Sequence, residues 1–146
     1  MAEEASSPAQ ELPQVAFRSE ILVRFADCDP AGMVFYPRYF EMFNGLVEDW
    51  CREGLHFSFP ELHSKHGWGL PTVHIEAEFP APSFLGEILT ATICVREVGA
   101  SSIRLRIVLR GPDGVDRVRG QVVLVLIDLE KKRPLPIPDE MRARIR

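Results

Sequence analysis

The transition from strand to helix near the N-terminus reads RFADCDPAGMVFYPRYF over residues 24–40. Residues 27–32, DCDPAG, combine Asp, Pro and Gly, which are residue types that favour turns. Pro37 suits the first turn of a helix, because a backbone N–H has no intrahelical partner there and its absence costs nothing. The stretch therefore predicts a strand, a short loop with two carboxylates, and a helix that begins at about Tyr36.

Apolar spacing on either side of this stretch predicts one strand before it and one long helix after it. Residues 17–25 alternate apolar and polar side chains, as in a half-buried strand, and Phe25 falls on the apolar face. Apolar residues then recur at steps of three or four, as in a helix with one buried stripe. Gly54 is a suitable C-terminal stop for that helix. The stripe consists of Phe40, Phe43, Val47, Trp50 and Cys51.

From Trp68 onward the chain reads almost entirely as strands. Alternation predicts four of them, and we expect them to form a meander. They cover residues 70–79, 87–98, 102–110 and 115–129. A short helix is expected after Pro60 and another after Pro138. One apolar helix and an antiparallel sheet bury each other only if the sheet curls around the helix, so the sequence predicts an α+β domain. Its uncovered sheet face and unpaired edges favour oligomerisation.

Length and composition set the domain organisation. The chain has 146 residues, of which 46% are apolar, and this fits one folded domain. We expect a disordered leader at residues 1–15, which are polar and acidic, and a single domain at residues 16–146. The net charge of −4 and the scattered basic residues argue against a nucleic-acid-binding protein.

The same sequence indicates a cytoplasmic protein. No apolar run approaches the ~20 residues that span a bilayer, so no membrane partner is expected. The N-terminus has neither the basic nor the apolar region of a signal peptide. The three cysteines have no metal-like spacing, and an odd, sparse set of thiols is typical of a reduced compartment.

Asp29 is the candidate catalytic residue because it lies one short loop before the predicted helix start. The N–H groups of a helix N-terminus are unpaired and lie at the positive end of the helix dipole. Such a terminus can hold the oxyanion that forms when a carbonyl is attacked. A carboxylate beside it can attack as a nucleophile or activate a water molecule. Asp27 is expected to form structural hydrogen bonds instead.

Other reactive side chains near this stretch are expected to be structural. Cys28 lacks an obvious activating base, so we expect a packed thiol rather than a nucleophile. His63 and His66 have a spacing that zinc ligands can adopt, but no cysteine or carboxylate completes the set. No metal site is therefore expected.

The segment resembles the signature of the hot-dog thioesterases, in particular the aspartate-type 4-hydroxybenzoyl-CoA thioesterase group. The resemblance is close at residues 27–32 and at Tyr36-Pro37 with Tyr39 two residues later, and it continues more loosely over residues 18–140. It implies a hot-dog fold, in which a five-stranded antiparallel sheet wraps one long central helix. It also implies Asp29 as the catalytic carboxylate and the backbone N–H of Tyr36 as the donor to the thioester oxygen.

The resemblance further implies a substrate and an assembly. Coenzyme A is expected as part of the substrate, without a metal or prosthetic group. Active sites are expected at the subunit interface of a homodimer or homotetramer, so that each pocket takes residues from two chains. Substrate-binding residues are expected at Phe35, Leu70, Pro71, Ser101 and Ser102.

The sequence thus predicts a thioester hydrolase for an acyl-CoA with an aromatic or otherwise bulky acyl group, similar to 4-hydroxybenzoyl-CoA. It departs from that group at residues 98–102, VGASS, where the group has a basic cluster that grips the nucleotide phosphates. Arg96 and Arg104 flank this stretch without matching the cluster. Two alternatives therefore stay open: a thioesterase for acyl-carrier protein, and a non-catalytic acyl-CoA-binding module on the same fold.

Overall fold

The first strand, β1, covers Val15–Leu22 in a computed structural model that describes residues 14–145. The predicted leader therefore lies, but for its last two residues, outside the described residues. After β1 the chain forms a 3₁₀ turn at Phe25–Asp27, and the Arg24 N–H donates to the Asp27 carboxylate (2.9 Å). The prediction that Phe25 lies on the apolar face of the strand is wrong, because the strand ends at Leu22 and Phe25 is 83% exposed.

The long helix, α1, covers Pro37–Trp50, with Pro37 in the first turn as predicted. It continues as a π-helical turn at Cys51–Leu55 that ends at His56, whose φ of 59° is left-handed. Gly54 is therefore not the stop that the sequence suggested. A Cβ at Gly54 would lie 2.8 Å from Trp50 Cδ1, so the position is small because the indole packs against it. The buried stripe of α1 consists of Tyr39, Met42, Phe43, Leu46, Val47 and Trp50.

The remaining elements are short helical turns and seven further strands. A π-helical turn at Glu61–His66 follows Pro60, where a short helix was predicted. The strands are β2 (Trp68–Gly69), β3 (Thr72–Glu78), β4 (Ile88–Val98), β5 (Ser102–Arg110), β6 (Asp116–Val125), β7 (Ile127–Asp128) and β8 (Arg133–Pro134). The chain closes with α2 (Asp139–Arg144), which follows Pro138 as predicted. None of the helices within residues 14–145 is long and apolar enough to cross a membrane.

Five strands form the main antiparallel sheet in the order β1-β4-β5-β6-β3. The predicted number of strands is confirmed, but the predicted meander is wrong for β3. This strand pairs with β6, with Ile75 opposite Val122, and so lies at the edge of the sheet. The predicted last strand is also divided: β6 ends at Val125, and β7 joins β2 and β8 in a small separate sheet.

The sheet curves around α1, and its inner face forms the core with the buried stripe of the helix. One close approach is at Gly120 on β6, where a Cβ would lie 2.5 Å from Phe43 Cε2. Only a residue without a side chain allows the helix to lie this near the sheet. The fully buried inner-face residues include Leu89, Ala91, Ile93, Ile103, Leu105, Ile107, Leu109 and Val118.

Candidate active site

The loop between β1 and α1 closes on itself through backbone hydrogen bonds. The Asp29 N–H donates to the Met33 carbonyl (2.8 Å), and the Gly32 N–H donates to the Asp29 carbonyl (2.9 Å). Gly32 has a φ of +79°, which a residue without Cβ adopts readily. At the end of the loop the Phe35 N–H donates to the Asp27 carbonyl (2.9 Å). This tight turn places Asp29 directly before the helix start, as the sequence predicted.

The Asp29 carboxylate is held by one of its two oxygens. Oδ1 accepts hydrogen bonds from the Ala31 N–H (2.9 Å) and the Met33 N–H (3.3 Å). Among residues 14–145, no donor contacts Oδ2. The side chain is half-buried, so this oxygen is oriented by the loop while it stays able to react.

The Tyr36 N–H is the second candidate group of the site. Tyr36 is the N-cap of α1, with helical φ and ψ of −52° and −34°. Its carbonyl already accepts the Tyr39 N–H (3.1 Å), and the neighbouring Phe35 carbonyl accepts the Arg38 N–H (2.9 Å). Within the described chain the Tyr36 N–H has no acceptor. An unpaired N–H at the positive end of a 14-residue helix can polarise a carbonyl oxygen.

A second segment, residues 79–87, holds the loop from outside. The Val34 N–H donates to the Ser83 carbonyl (2.9 Å), and the Leu85 N–H donates to the Gly32 carbonyl (3.0 Å). The Tyr39 hydroxyl on α1 also donates to Ser83 Oγ (2.8 Å). Sequence reasoning did not identify this segment, because only the strand pairing brings residue 83 next to residues 32–34.

Aromatic side chains surround the helix start. Phe35 and Tyr36 are 53% and 58% exposed, and their rings meet edge-on with centroids 5.7 Å apart. Phe79 contacts Tyr36 (6.1 Å), stacks on Tyr39 (5.6 Å) and meets Phe40 (6.3 Å), also measured between ring centroids. Solvent-exposed rings at the helix start offer a surface on which a flat apolar group can stack.

Comparison with known proteins identifies the family of this chain. The family model described as the thioesterase-like superfamily matches residues 23–145. The chain belongs to this superfamily. Its relatives include the 1,4-dihydroxy-2-naphthoyl-CoA hydrolase of Synechocystis sp., which is 26% identical over 125 residues that span 84% of this chain and 90% of the relative.

Solved structures of this thioesterase-like superfamily share the fold. A 1,4-dihydroxy-2-naphthoyl-CoA thioesterase from Synechocystis superposes with a TM-score of 0.80 at 25% identity, over 88% of this chain and 94% of the other. A gentisyl-coenzyme A thioesterase gives 0.78 at 28% identity, over 86% and 99%. The predicted hot-dog fold and thioesterase family are therefore confirmed. The narrower 4-hydroxybenzoyl-CoA group stays a prediction.

Asp27 and Cys28 of this thioesterase-like protein have the structural roles expected of them. The Asp27 carboxylate accepts the Arg24 N–H, and the Cys28 thiol contacts the Arg24 carbonyl (3.5 Å). Burial, followed by the carboxylates of Asp27 and Asp29, raises the pKa of the Cys28 thiol. The thiolate needed for nucleophilic attack is thus disfavoured.

Leu70 and Pro71 line a cavity of about 570 Å³ on the other half of α1. Its α1 wall extends from Asn44 to Glu48, eight to twelve residues after Tyr36. At ~1.5 Å rise per residue, this is about 12–18 Å along the helix. The structure therefore groups Phe35 with Asp29 and Tyr36 but separates Leu70 and Pro71 from them within one chain. The cavity is also lined by Asn44, Val47, Phe59, His63, Gly69, Thr72, Leu124, Ile127 and Leu129.

Ser101 and Ser102 lie at the far end of the sheet. The β4 strand leads away from residues 79–87 to this turn over 11 residues, or roughly 35 Å at ~3.3 Å per residue. The turn is held by Arg142 of α2, which donates to the carbonyls of Gly99 (2.9 Å) and Ala100 (3.2 Å). A cation therefore lies at this turn after all. It comes from a distant part of the sequence, so local spacing could not reveal it.

The two histidines with zinc-like spacing pack against aromatic rings. His63 stacks on Phe59 and His66 stacks on Trp68, with ring centroids 6.0 Å and 4.3 Å apart. Across residues 14–145, no three His, Cys, Asp or Glu residues come together in a way that could hold a metal ion.

Proposed function

We propose that this protein hydrolyses the thioester bond of an acyl-CoA whose acyl group is aromatic or similarly bulky. The observation that carries the proposal is what the segment leading into α1 holds: among residues 14–145, Asp29 has a carboxylate oxygen without a donor and Tyr36 has a helix-start N–H without an acceptor. Acyl transfer needs two components: a group that attacks the carbonyl carbon, and a hydrogen-bond donor that stabilises the negative charge developing on the carbonyl oxygen.

The thioester carbonyl oxygen binds the Tyr36 N–H in this mechanism, which draws electron density away from the carbonyl carbon. Asp29 Oδ2 then attacks that carbon, the C–S bond breaks, and CoA leaves as a thiolate that takes a proton from water. A second water hydrolyses the mixed anhydride and restores the carboxylate. In the general-base alternative, Asp29 removes a proton from water as the water oxygen attacks the carbonyl carbon. The C–S bond then breaks, and the proton on Asp29 passes to the departing CoA thiolate, which restores the carboxylate. Both routes give the free acid and CoA.

An aromatic acyl group is favoured by the rings at the helix start and by the relatives. Phe35, Tyr36 and Phe79 expose ring surface at the helix start. The relatives are named for 1,4-dihydroxy-2-naphthoyl-CoA and gentisyl-CoA. We therefore place aryl-CoA esters, including 4-hydroxybenzoyl-CoA, first among candidate substrates, with CoA as part of the substrate rather than a cofactor.

We also infer that two copies of the chain complete each site. The edge strand β3 is paired on one side only, and Ile75 on its inner face is 39% exposed. Ile75 lines a groove of about 200 Å³ between β3 and α1, whose other walls are mostly apolar. A second copy that pairs along β3 satisfies this edge and covers the groove. It also brings the Leu70 and Pro71 cavity of one chain toward Asp29 of the other.

The test of the reaction is thiol release from a panel of aryl-, short-chain and long-chain acyl-CoAs. We expect aryl-CoA turnover, and a fall in kcat of about 10²- to 10⁴-fold in Asp29→Asn, the range that a positioned acid or base contributes. Asp27→Asn is the matched control, since its carboxylate binds only its own loop, and it should retain most activity. Substantial turnover by Asp29→Asn contradicts the assignment. Turnover of carrier-protein thioesters alone supports the carrier-protein alternative, and none on either supports a binding module.

The test of the dimer is sedimentation velocity on Ile75→Lys. A charge in the groove should shift the protein to monomers and reduce activity, whereas Val115→Lys, an equally apolar and exposed position on the β5–β6 hairpin, should remain assembled. Wild-type protein that sediments as a monomer at assay concentrations, yet hydrolyses aryl-CoA, contradicts the shared site.

A further inference from the structure

Ser83 contacts both halves of the proposed site. Its carbonyl accepts the Val34 N–H (2.9 Å) from the loop that carries the carboxylate, and its hydroxyl accepts the Tyr39 O–H (2.8 Å) from α1. Ser83 is 0% exposed and Tyr39 is 3% exposed. One buried residue therefore links the segment that holds Asp29 to the helix that presents the Tyr36 N–H.

On the helix side, the link is short. Tyr39 lies three residues after Tyr36, and its N–H donates to the Tyr36 carbonyl (3.1 Å). The phenol and the Tyr36 N–H are thus parts of the same helical turn. Because backbone geometry within a turn is stiff, a shift of the Tyr39 ring moves the N-terminus of α1 with it.

On the loop side, the link passes through one peptide group. Val34 follows Met33, whose N–H donates to Asp29 Oδ1 (3.3 Å) and whose carbonyl accepts the Asp29 N–H (2.8 Å). Fixing Val34 on the Ser83 carbonyl therefore also fixes the Met33–Val34 peptide group, whose carbonyl binds the Asp29 N–H. The Met33 N–H that binds the carboxylate lies in the adjoining peptide group.

Ser83 is itself held in place from behind. The Phe84 N–H donates to Glu87 Oε1 (2.9 Å), and Glu87 Oε2 binds the buried guanidinium of Arg117 (3.1 Å). Gly86 and Glu87 also pair with Val23 at the end of β1. Ser83 is thus attached to the sheet. Through its own two hydrogen bonds it holds both halves of the site at a fixed position relative to the sheet.

We propose that the Tyr39–Ser83 hydrogen bond sets the separation between the Asp29 carboxylate and the Tyr36 N–H, which makes Tyr39 and Ser83 positioning residues. The proposal rests on the proposed thioesterase function. Two buried hydroxyl groups that bind each other are satisfied only over a narrow range of distances, whereas apolar side chains of similar size could slide. Displacement of reacting groups by ~1 Å can reduce rates by about 10²-fold. Even a small shift of the carboxylate relative to the N–H should therefore be measurable as a lower kcat.

The experiment is steady-state kinetics on Tyr39→Phe, Ser83→Ala and the double variant with the best acyl-CoA of the panel. We expect kcat to fall about tenfold in each single variant with KM within about twofold, because the substrate surface is unchanged while the reacting groups are displaced. The double variant should be no slower than the slower single variant, since both remove the same hydrogen bond. Each kcat is calculated per folded molecule, from thermal unfolding measured in parallel.

Arg144→Met is the matched control. It removes a hydrogen bond to the Leu55 carbonyl (2.8 Å) at the other end of α1, so it should lower the melting temperature and leave kcat unchanged. An Asp29-dependent wild type whose kcat does not change in Tyr39→Phe overturns this inference alone, as do additive losses in the double variant. A wild type that turns over no thioester overturns the proposed function and this inference with it.

Discussion

Arg117, at the start of β6, is a charged side chain with only 5% of its side-chain surface exposed. Its guanidinium binds Glu87 (3.1 Å) and Asp113 (3.1 Å) and donates to the Val115 carbonyl (3.2 Å). Gly111 lies against it, where a Cβ would come within 2.3 Å of the guanidinium carbon. Replacement of Arg117 by Met keeps most of the volume and removes the charge.

The expected loss of unfolding free energy in Arg117→Met depends on how exposed each former partner of Arg117 is. Removal of one member of a buried ion pair typically costs about 3–5 kcal/mol. Here the Glu87 side chain is 22% exposed and still accepts the hydrogen bond from the Phe84 N–H. The Asp113 side chain is 57% exposed, so water can hydrate its carboxylate once Arg117 is removed. Within the described residues Arg117 Nε also lacks a partner, so Met removes an existing penalty. We expect about 2–3 kcal/mol, or a fall in melting temperature of roughly 6–10 °C for a chain of this length.

Urea and thermal unfolding of Arg117→Met, Glu87→Gln and the double variant measure the effect. Glu87→Gln should destabilise at least as much as Arg117→Met, because it leaves the more deeply buried charge without its main counterion. The double variant should be more stable than the sum of the two losses predicts. A neutral Arg117→Met, or strict additivity, would refute the reasoning that this pair is a coupled, buried unit.

Three further expectations follow from other contacts. Gly120→Ala should cost about 1–3 kcal/mol in unfolding free energy, because the new methyl group must displace Phe43. Burial alone would raise the pKa of Asp116, but two arginine hydrogen bonds outweigh it and lower that pKa below 3.8. The stability that ionised Asp116 contributes is complete above about pH 4 and is lost as the pH falls. The difference in unfolding free energy between the wild type and Asp116→Asn should therefore shrink in acid. Cys28→Ser should retain turnover, since the raised pKa of the thiol disfavours the thiolate that a nucleophile needs.

The local parts of the fold were predictable from the sequence. Residues 27–32 indicated the loop because Asp, Pro and Gly determine turns through their own backbone preferences. Pro37 indicated the start of α1 through its own backbone preference, and the apolar spacing after it indicated a helix with one buried face. The family resemblance predicted that a five-stranded sheet wraps this helix. Asp29 and the helix start were therefore identifiable before the structure, since they are neighbours in the chain.

The misplaced elements depend on contacts that sequence spacing does not encode. The pairing of β3 with β6 is decided by the irregular connection at residues 79–87, which is too long for a hairpin turn. Phe25 was misassigned because alternation continues in the sequence after the ladder partner of β1 has ended at Ile88. Gly54 resembles a helix stop but is required by the Trp50 ring.

The same limit applies to the site. Ser83, Glu87 and Arg117 are unremarkable in the sequence, because each gains its role from a partner many positions away. Arg142 likewise reaches the β4–β5 turn only because α2 docks beside it. Residues 70 and 71 were expected in the pocket, but in one chain they lie too far along α1 from Tyr36.

The contact between Tyr39 and Ser83 spans 44 positions of the chain. Closing so long a loop is entropically unfavourable until the strands on either side have paired, so it belongs to the later steps of folding. A nascent or partly unfolded chain therefore already contains the loop with Asp29 but lacks the support that fixes it against the helix. The arrangement of the candidate site thus depends on the assembled sheet and not on the loop alone.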